Sequence, residues 1–134
     1  MCIVLPKTKC DIKVADKDII VYKVLVKRND EYIYRSPYKN FQYGTLEDII
    51  GYTYRSELSE CIELTVGQVG TRNGLYSYAT YELTRDLRKS VRISGEQKSI
   101  VFRCVIPKGS RYYTNGKEYC SDQLKFIERV NSRC

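Results

Sequence analysis

The sequence predicts an α+β fold dominated by an antiparallel β-sheet built from hairpins, with one main α-helix around residues 80–90. Three observations lead to this class. Residues 18–27 and 99–106 are rich in β-branched side chains, which favour strands. The pair Asn115-Gly116 separates two tyrosine-containing segments and is typical of a tight hairpin turn. Residues 80–89 carry leucines four positions apart, as an amphipathic helix does.

The N-terminal half predicts a hairpin followed by a segment that allows two structures. Residues 18–27 and 32–35 are the two strands of the hairpin, with turn-forming residues between them. Thr45 can cap a short helix that runs to Ile50 and ends at Gly51. Residues 49–55 can instead form a strand, and residues 57–69 form either a strand pair or a connection.

The C-terminal half predicts a helix and then a series of strands. Thr80 is expected to cap the helix over residues 80–89. In the strand over residues 99–106, Ile100, Phe102, Cys104 and Ile106 fall on one face, because side chains alternate along a strand. Residues 111–113 and 118–120 form a hairpin around Asn115-Gly116, and residues 123–130 form a last strand. At 134 residues, the chain is expected to be a single domain, 1–134.

The excess positive charge lies in the last fifty residues. Residues 1–84 carry eleven Lys/Arg and eleven Asp/Glu, whereas residues 85–134 carry twelve Lys/Arg and five Asp/Glu. A one-sided charge distribution attracts partners of opposite charge. The C-terminal portion is therefore expected to face an anionic ligand or an acidic protein.

The chain contains no histidine and six cysteines. Histidine is the commonest general base and metal ligand, so its absence argues against acid–base catalysis and against a metal site. The cysteine spacings include no C-x-x-C pair. No apolar run is long enough to cross a bilayer, so free thiols and a cytoplasmic location are expected. No cofactor, metal or membrane partner is predicted.

The main candidate site is the turn before the second hairpin. Gly109 is expected to leave backbone N–H groups of this turn open to a phosphate, with Lys108 and Arg111 beside them. Arg111 and Tyr113 should share one face of the following strand and Tyr112 the other. One of the two tyrosines would stack on a base. The alternative for this turn is a plain strand end with solvated charges.

Two further segments can contribute to a site. Ser77 and Thr80 are expected near the N-terminus of the predicted helix, where the dipole favours an anion. A basic and aromatic corner follows the first hairpin. The predicted ligand-binding residues are Lys108, Arg111, Tyr112, Tyr113, Arg103, Lys117, Tyr76, Ser77, Tyr78, Thr80, Arg35 and Tyr38.

Residues 74–127 resemble small uncharacterised proteins found in phages and in gut Bacteroidota. The shared features are an aromatic Gly-x-x-Ser strand at Gly74–Ser77, a helix, a strand ending in Ile-Pro-Lys-Gly at Gly109, and a Ser-x-Tyr-Tyr segment at Ser110–Tyr113. The serine strand before a helix is also, more faintly, similar to ADP-ribosyltransferase-like folds. For that family Glu118 would be the late catalytic glutamate, without the usual acidic or Gln partner two residues before it.

These features favour a non-enzymatic, homo-oligomeric protein that binds a small anionic nucleotide-type ligand. The phage resemblance implies an anti-defence sponge for a nucleotide second messenger, such as a cyclic nucleotide. Three alternatives stay open: an inhibitor module that docks its basic face on an acidic host protein, an RNA or single-stranded DNA binder, and a degenerate ADP-ribosyltransferase-like enzyme.

Overall fold

A computed structural model describes residues 4–6, 12–28, 30–36, 42–58, 62–65, 68–70, 74–92 and 97–130. These residues form thirteen strands and two short helices. The strands are β1 (Val4–Pro6), β2 (Lys13–Val14), β3 (Ile19–Arg28), β4 (Tyr34–Arg35), β5 (Gln42–Gly44), β6 (Thr53–Arg55), β7 (Ile62–Thr65), β8 (Gln68–Gly70), β9 (Leu75–Tyr78), β10 (Gln97–Ile106), β11 (Arg111–Thr114), β12 (Glu118–Ser121) and β13 (Gln123–Val130). The helices are α1 (Leu46–Ile49) and α2 (Thr84–Arg92). The prediction of a mostly antiparallel fold is confirmed, with less helix than expected.

The strands form two antiparallel sheets. The small sheet has the order β1-β8-β7, and the large sheet has the order β2-β11-β12-β9-β3-β10-β13-β6. Strand β4 is attached to β3, and β5 is attached to β4. The longest pairing joins β3 and β10 from Ile19↔Ile106 to Arg28↔Gln97 without a break. The three predicted hairpin and strand segments around residues 18–35, 111–120 and 123–130 are confirmed.

The main core lies on one face of the large sheet, here called the core face. Phe102 and Cys104 of β10 are buried on it, together with Val21 and Leu25 of β3 and Phe126 of β13. The alternation predicted for residues 99–106 is confirmed. The opposite face carries α2 and is called the helix face, because Arg88 of α2 reaches Ser99 there.

Three aromatic rings pack together across the core and connect strands from the two sides of the β3–β10 ladder. Tyr43 belongs to β5, which is attached to β3 through β4, whereas Tyr54 belongs to β6, which is paired with β13. The ring centres of Tyr43 and Tyr54 are 4.7 Å apart, and both rings lie within 5.4 Å of Phe126. The Tyr54 hydroxyl donates to the Tyr43 carbonyl at 2.5 Å. This cluster therefore connects strands from opposite sides of the central ladder.

A lysine is buried in the same core. Lys23 of β3 is 5 % exposed, and its Nζ lies 5.8 Å from the centre of the Tyr43 ring, within the range of a cation–π contact.

Burial raises the pKa of the Cys104 thiol, an effect that the charge of Lys23 partly offsets. Cys104 is fully buried and unpaired, so it is a core residue, as predicted, and not a reactive thiol.

Helix α2 begins four residues later than predicted. Thr80 is exposed and precedes a turn in which Thr84 N and Thr84 Oγ1 both donate to the Tyr81 carbonyl. The Tyr81 ring lies 6.3 Å from that of Tyr22 on β3. This contact holds residue 81 against the sheet, so the helix starts only after it. The prediction of Thr80 as the helix cap is wrong.

Helix α1 confirms the other predicted cap. The Thr45 hydroxyl accepts from Asp48 N, and α1 ends at Ile49. The alternative strand is present in shorter form, from Thr53 to Arg55. Strands β7 and β8 pair with each other. Of the two structures expected for residues 57–69, the strand pair is therefore the one present. The sequence also predicts a strand break at Pro37 and a tight turn at Asn73-Gly74, but Pro37 and Asn73 fall outside the described residues.

A second, smaller core lies on the helix face of β11 and β12. Tyr113 and Cys120 are buried there, and Ile12, Leu58 and Tyr76 pack against them. Gly74 closes one side of this cluster with a φ of +132°. None of the helices in the described ranges is long and apolar enough to span a membrane.

Replacing Gly74 by alanine should destabilise the protein by about 2–4 kcal/mol, because backbone strain and overpacking add. A Cβ here would lie 2.3 Å from Cys120 Sγ and 3.0 Å from Leu58 Cδ1. Gly109→Ala is the matched control, since its φ is +90° but no atom lies within 4 Å of the added Cβ. Urea denaturation measures both variants. Equal losses of stability in the two would contradict the clash at Gly74.

Replacing Tyr54 by phenylalanine should lower the free energy of unfolding by about 1 kcal/mol at pH 8, since one hydrogen bond is lost and the ring is kept. Burial, and then the neighbouring Tyr52 and Asp48, raise the pKa of Tyr54 to about 12 from 10.0. The folded state therefore keeps this proton between pH 10 and 12 while the unfolded state releases it. Wild type should lose stability over that window.

The difference in stability between wild type and Tyr54→Phe should shrink as the pH rises from 10 to 12. Urea titrations at pH 8 and pH 11 measure this difference, and groups common to both proteins cancel in it. Tyr32→Phe, at a position that is 83 % exposed, serves as the control. A difference that stays constant across the two pH values would show that Tyr54 does not titrate as a buried donor.

Candidate functional site

The turn predicted to bind a phosphate has no free backbone donor. Lys108 N donates to Asp18 Oδ1 at 2.9 Å, and Arg111 N donates to Asp122 Oδ1 at 2.9 Å. Gly109 N and Ser110 N donate to backbone carbonyls. The prediction of open N–H groups at this turn is therefore wrong. The carboxylates of Asp18 and Asp122 also reduce the positive potential beside the exposed side chains of Lys108 and Arg111.

The two tyrosines after this turn lie on opposite faces, as predicted. Tyr113 is 2 % exposed within the small core, so its ring cannot stack on a ligand. Tyr112 is half-buried, and its ring centre lies 5.7 Å from that of Tyr119. Lys13 is paired directly opposite Tyr112. Of the two predicted tyrosines, Tyr112 is the one that can take the stacking role.

Arg103 and its neighbours lie on the helix face. Arg103 Nη2 is 2.6 Å from Glu128 Oε1, so its charge is already compensated. Tyr78 is paired with Tyr22 and with Glu118. Tyr76 packs against the small core. None of these three residues lines the cleft that the described residues form around Tyr52 and Arg55.

The remaining predicted residues are also dispersed. Ser77 is 2 % exposed, and its hydroxyl has no hydrogen-bond partner within the described part of the chain. Lys117 is exposed at the tip of the hairpin. Arg35 forms an ion pair with Glu31. Tyr38 lies outside the described residues. The sequence-predicted residues thus occupy both faces of the sheet.

The structure instead forms a cleft at the other side of the large sheet, here called the tyrosine cleft. Its volume is about 590 Å³, within the range of roughly 300–1,000 Å³ of small-molecule sites. The lining residues are Tyr43, Asp48, Tyr52, Thr53, Tyr54 and Arg55. The cleft therefore combines three aromatic rings with one cation, one carboxylate and one aliphatic hydroxyl.

Local sequence explains how these residues come together. Helix α1 ends at Ile49, and Gly51 adopts a φ of +84°, which favours glycine. Gly51 N then donates to the Phe126 carbonyl, and Phe126 N donates to the Tyr52 carbonyl. These bonds start the pairing of β6 with β13. The chain reversal brings the Tyr52–Arg55 segment beside Asp48 of α1.

The rings differ in exposure. Tyr54 is half-buried, whereas Tyr52 is 57 % exposed, and their ring centres are 4.7 Å apart in an edge-to-face arrangement. Burial raises the pKa of Tyr43, with the hydrogen bond to Ser36 acting in the opposite direction. Both Tyr43 and Tyr54 stay protonated at neutral pH. The buried rings fix the wall of the cleft, and Tyr52 offers an open face.

The polar groups lie at the rim. Arg55 is exposed and takes part in no ion pair among the described residues. Asp48 is exposed, and its Oδ2 accepts from Thr45 Oγ1 at 2.8 Å. That bond holds the carboxylate in place while leaving its other oxygen open to solvent or ligand. A ligand in the cleft would meet a positive and a negative group beside an aromatic wall.

One segment of the sequence contains the aromatic and basic residues of this cleft, but it could be recognised as part of a site only once the fold was known. Tyr52-Thr53-Tyr54-Arg55 repeats the pattern of aromatic residues next to a cation that singled out the second hairpin. Tyr43 lies on a different strand, and only the pairing of β6 with β13 brings it near.

Comparison with known proteins finds no matching family model, curated protein or solved structure. The resemblances to phage proteins and to ADP-ribosyltransferase-like folds stay predictions.

Proposed function

We propose that the protein is a non-enzymatic binding protein that sequesters a small anionic nucleotide-type ligand in the tyrosine cleft. The observation that carries this proposal is the cleft of about 590 Å³ with Tyr52 and Arg55 on its lining. An exposed ring provides a flat surface for a base, and a guanidinium that forms no ion pair with the described residues provides a site for a phosphate. The expected oligomer, acidic host partner, phage role and cytoplasmic location stay predictions.

The order of the cleft supports binding with little reorganisation. Tyr54 is held by its hydrogen bond to Tyr43 and by the ring of Phe126. Asp48 is held by Thr45. Groups that are already fixed lose less conformational entropy when a ligand arrives. Tyr52, the most exposed of the three rings that line the cleft, packs edge-to-face on the fixed Tyr54 ring.

Asp48 favours a ligand that also carries a hydrogen-bond donor. A carboxylate at the rim repels a bare phosphate, but it accepts from an amino group or a sugar hydroxyl. A nucleotide with an exocyclic amino group satisfies Tyr52, Arg55 and Asp48 together. An inorganic phosphate would satisfy Arg55 alone, and an uncharged aromatic compound would satisfy only the ring.

Isothermal titration against AMP, GMP, cyclic dinucleotides, cyclic trinucleotides and NAD-derived nucleotides should identify at least one ligand with micromolar Kd. Tyr52→Ala should weaken its binding by roughly 5- to 150-fold, the range for loss of one base–aromatic stack. Arg55→Ala should weaken it by roughly 10- to 150-fold, since a charge-assisted hydrogen bond is lost.

The matched controls are Tyr112→Ala and Arg111→Ala, which remove the same side-chain types from the second hairpin. Both should leave Kd within about twofold of wild type. Weakened binding in these two variants, with no effect of Tyr52→Ala and Arg55→Ala, would place the ligand at the hairpin instead. Absence of binding at millimolar concentration across the panel would exclude the proposed function.

A further inference from the structure

A group of basic side chains lies at one end of the β3–β10 ladder, and none of them belongs to an ion pair among the described residues. The last three rungs there are Val26↔Ser99, Lys27↔Lys98 and Arg28↔Gln97. Arg88 of α2 joins them, because its Nε donates to Ser99 Oγ at 3.4 Å. The four cations Lys27, Arg28, Arg88 and Lys98 are here called the basic ladder end.

Lys27 and Lys98 form a pair of like charges directly across the two strands. Such a pair destabilises a sheet, because the Cβ atoms of opposite residues lie only about 4.5–5.5 Å apart. Alternation along the strands places both lysines on the core-face side, where Lys98 is exposed and Lys27 half-buried. A bound anion between them would remove the repulsion.

The other two cations, Arg28 and Arg88, lie on the helix face. Arg28 follows Lys27 and alternates to that face, where it is exposed. Arg88 is half-buried and donates to two neutral hydroxyls, those of Ser99 and Tyr81. Neutral acceptors satisfy the guanidinium donors without compensating the charge. The basic ladder end therefore has two cations on each face of the sheet and is not confined to one cleft.

Carboxylates contribute little here among the residues that the structure describes. The two described ion pairs are Arg35–Glu31 and Arg103–Glu128, and neither includes a member of the basic ladder end. Glu31 is therefore already occupied. Asp30 is exposed in the adjoining loop and offsets one of the four charges. The second hairpin differs, because Asp18 and Asp122 lie directly against its basic turn.

An exposed aromatic ring lies beside these cations. The loop between β3 and β4 is tied to the ladder end, since Glu31 N donates to the Arg28 carbonyl at 3.0 Å. The next residue, Tyr32, is 83 % exposed, and Ile33 is 39 % exposed. Tyr32 is the most exposed of the large apolar side chains in the described part of the chain. Aromatic rings next to a positive surface are how many proteins hold unpaired bases.

We infer that the basic ladder end and Tyr32 form a second binding site, which takes the phosphate backbone and an unpaired base of single-stranded RNA or DNA. An extended phosphodiester chain suits cations that are spread over both faces of a sheet end. A mononucleotide would reach only part of them. This site is separate from the tyrosine cleft, because β6 pairs with Gln123–Lys125 of β13, and Lys125 lies opposite Val105 near the Ile19↔Ile106 end of the ladder.

Fluorescence anisotropy with labelled 20-nucleotide oligo(U) and oligo(dT), titrated at several salt concentrations, tests this inference. Four neutralised phosphates give a slope of roughly −3 in log K against log[salt], at about −0.7 per phosphate of a single strand. The double variant Lys27→Gln/Lys98→Gln should reduce the slope to roughly −1.5. Tyr32→Ala should weaken binding by roughly 5- to 150-fold and leave the slope unchanged.

The control is Lys117→Gln/Lys125→Gln, which removes two exposed lysines elsewhere on the sheet and should keep the wild-type slope. A Tm of Lys27→Gln/Lys98→Gln at or above that of wild type confirms folding and the relief of like-charge repulsion. A wild-type slope in this double variant overturns the inference, as does equal affinity for a mononucleotide and the 20-mer. Tyr52→Ala/Arg55→Ala should bind the 20-mer normally, so failure of the cleft proposal leaves this test intact.

Discussion

The pairing of β3 with β10 is the constraint on which the rest of the molecule depends. Its unbroken register from Ile19↔Ile106 to Arg28↔Gln97 fixes which side chains face the core and which face α2. A slip of one residue would move Phe102 and Cys104 to the opposite face. Strands β4, β9 and β13 are added to its two sides. Both proposed sites are positioned by it, one at the end of the ladder and one through β13 and β6.

Two lysines of β3 that share the core face, Lys23 and Lys27, have different surroundings. Lys23 lies inside the core, where the face of the Tyr43 ring is 5.8 Å from its Nζ and gives a favourable electrostatic contact. Lys27, four residues further along β3 on the same face, has another lysine opposite it. The first arrangement serves packing. The second places like charges opposite each other, which disfavours the pairing, and it is the basis of the proposed nucleic-acid site.

Sequence patterns predicted the strands well wherever side chains alternate clearly. Residues 99–106 could be assigned because Ile100, Phe102, Cys104 and Ile106 are apolar at every second position. The cap at Thr80 could not be judged, because the later helix start depends on the contact of Tyr81 with Tyr22 across the sheet. The N–H groups of the basic turn could not be judged from the sequence either. Nothing local shows that Asp18 and Asp122 occupy the N–H groups of the basic turn, or that β13 brings Tyr54 to Tyr43.

The long β3–β10 pairing also determines when the protein is able to fold. Its two strands are separated in sequence by β4 to β9 and both helices, and such non-local pairing forms slowly. During synthesis β3 leaves the ribosome long before its partner strand exists. The edge of Ile19–Val26 that pairs with β10 therefore stays unpaired until residues 97–106 have been translated. The nascent chain is most prone to aggregation during that interval, and its need for chaperones should be greatest there.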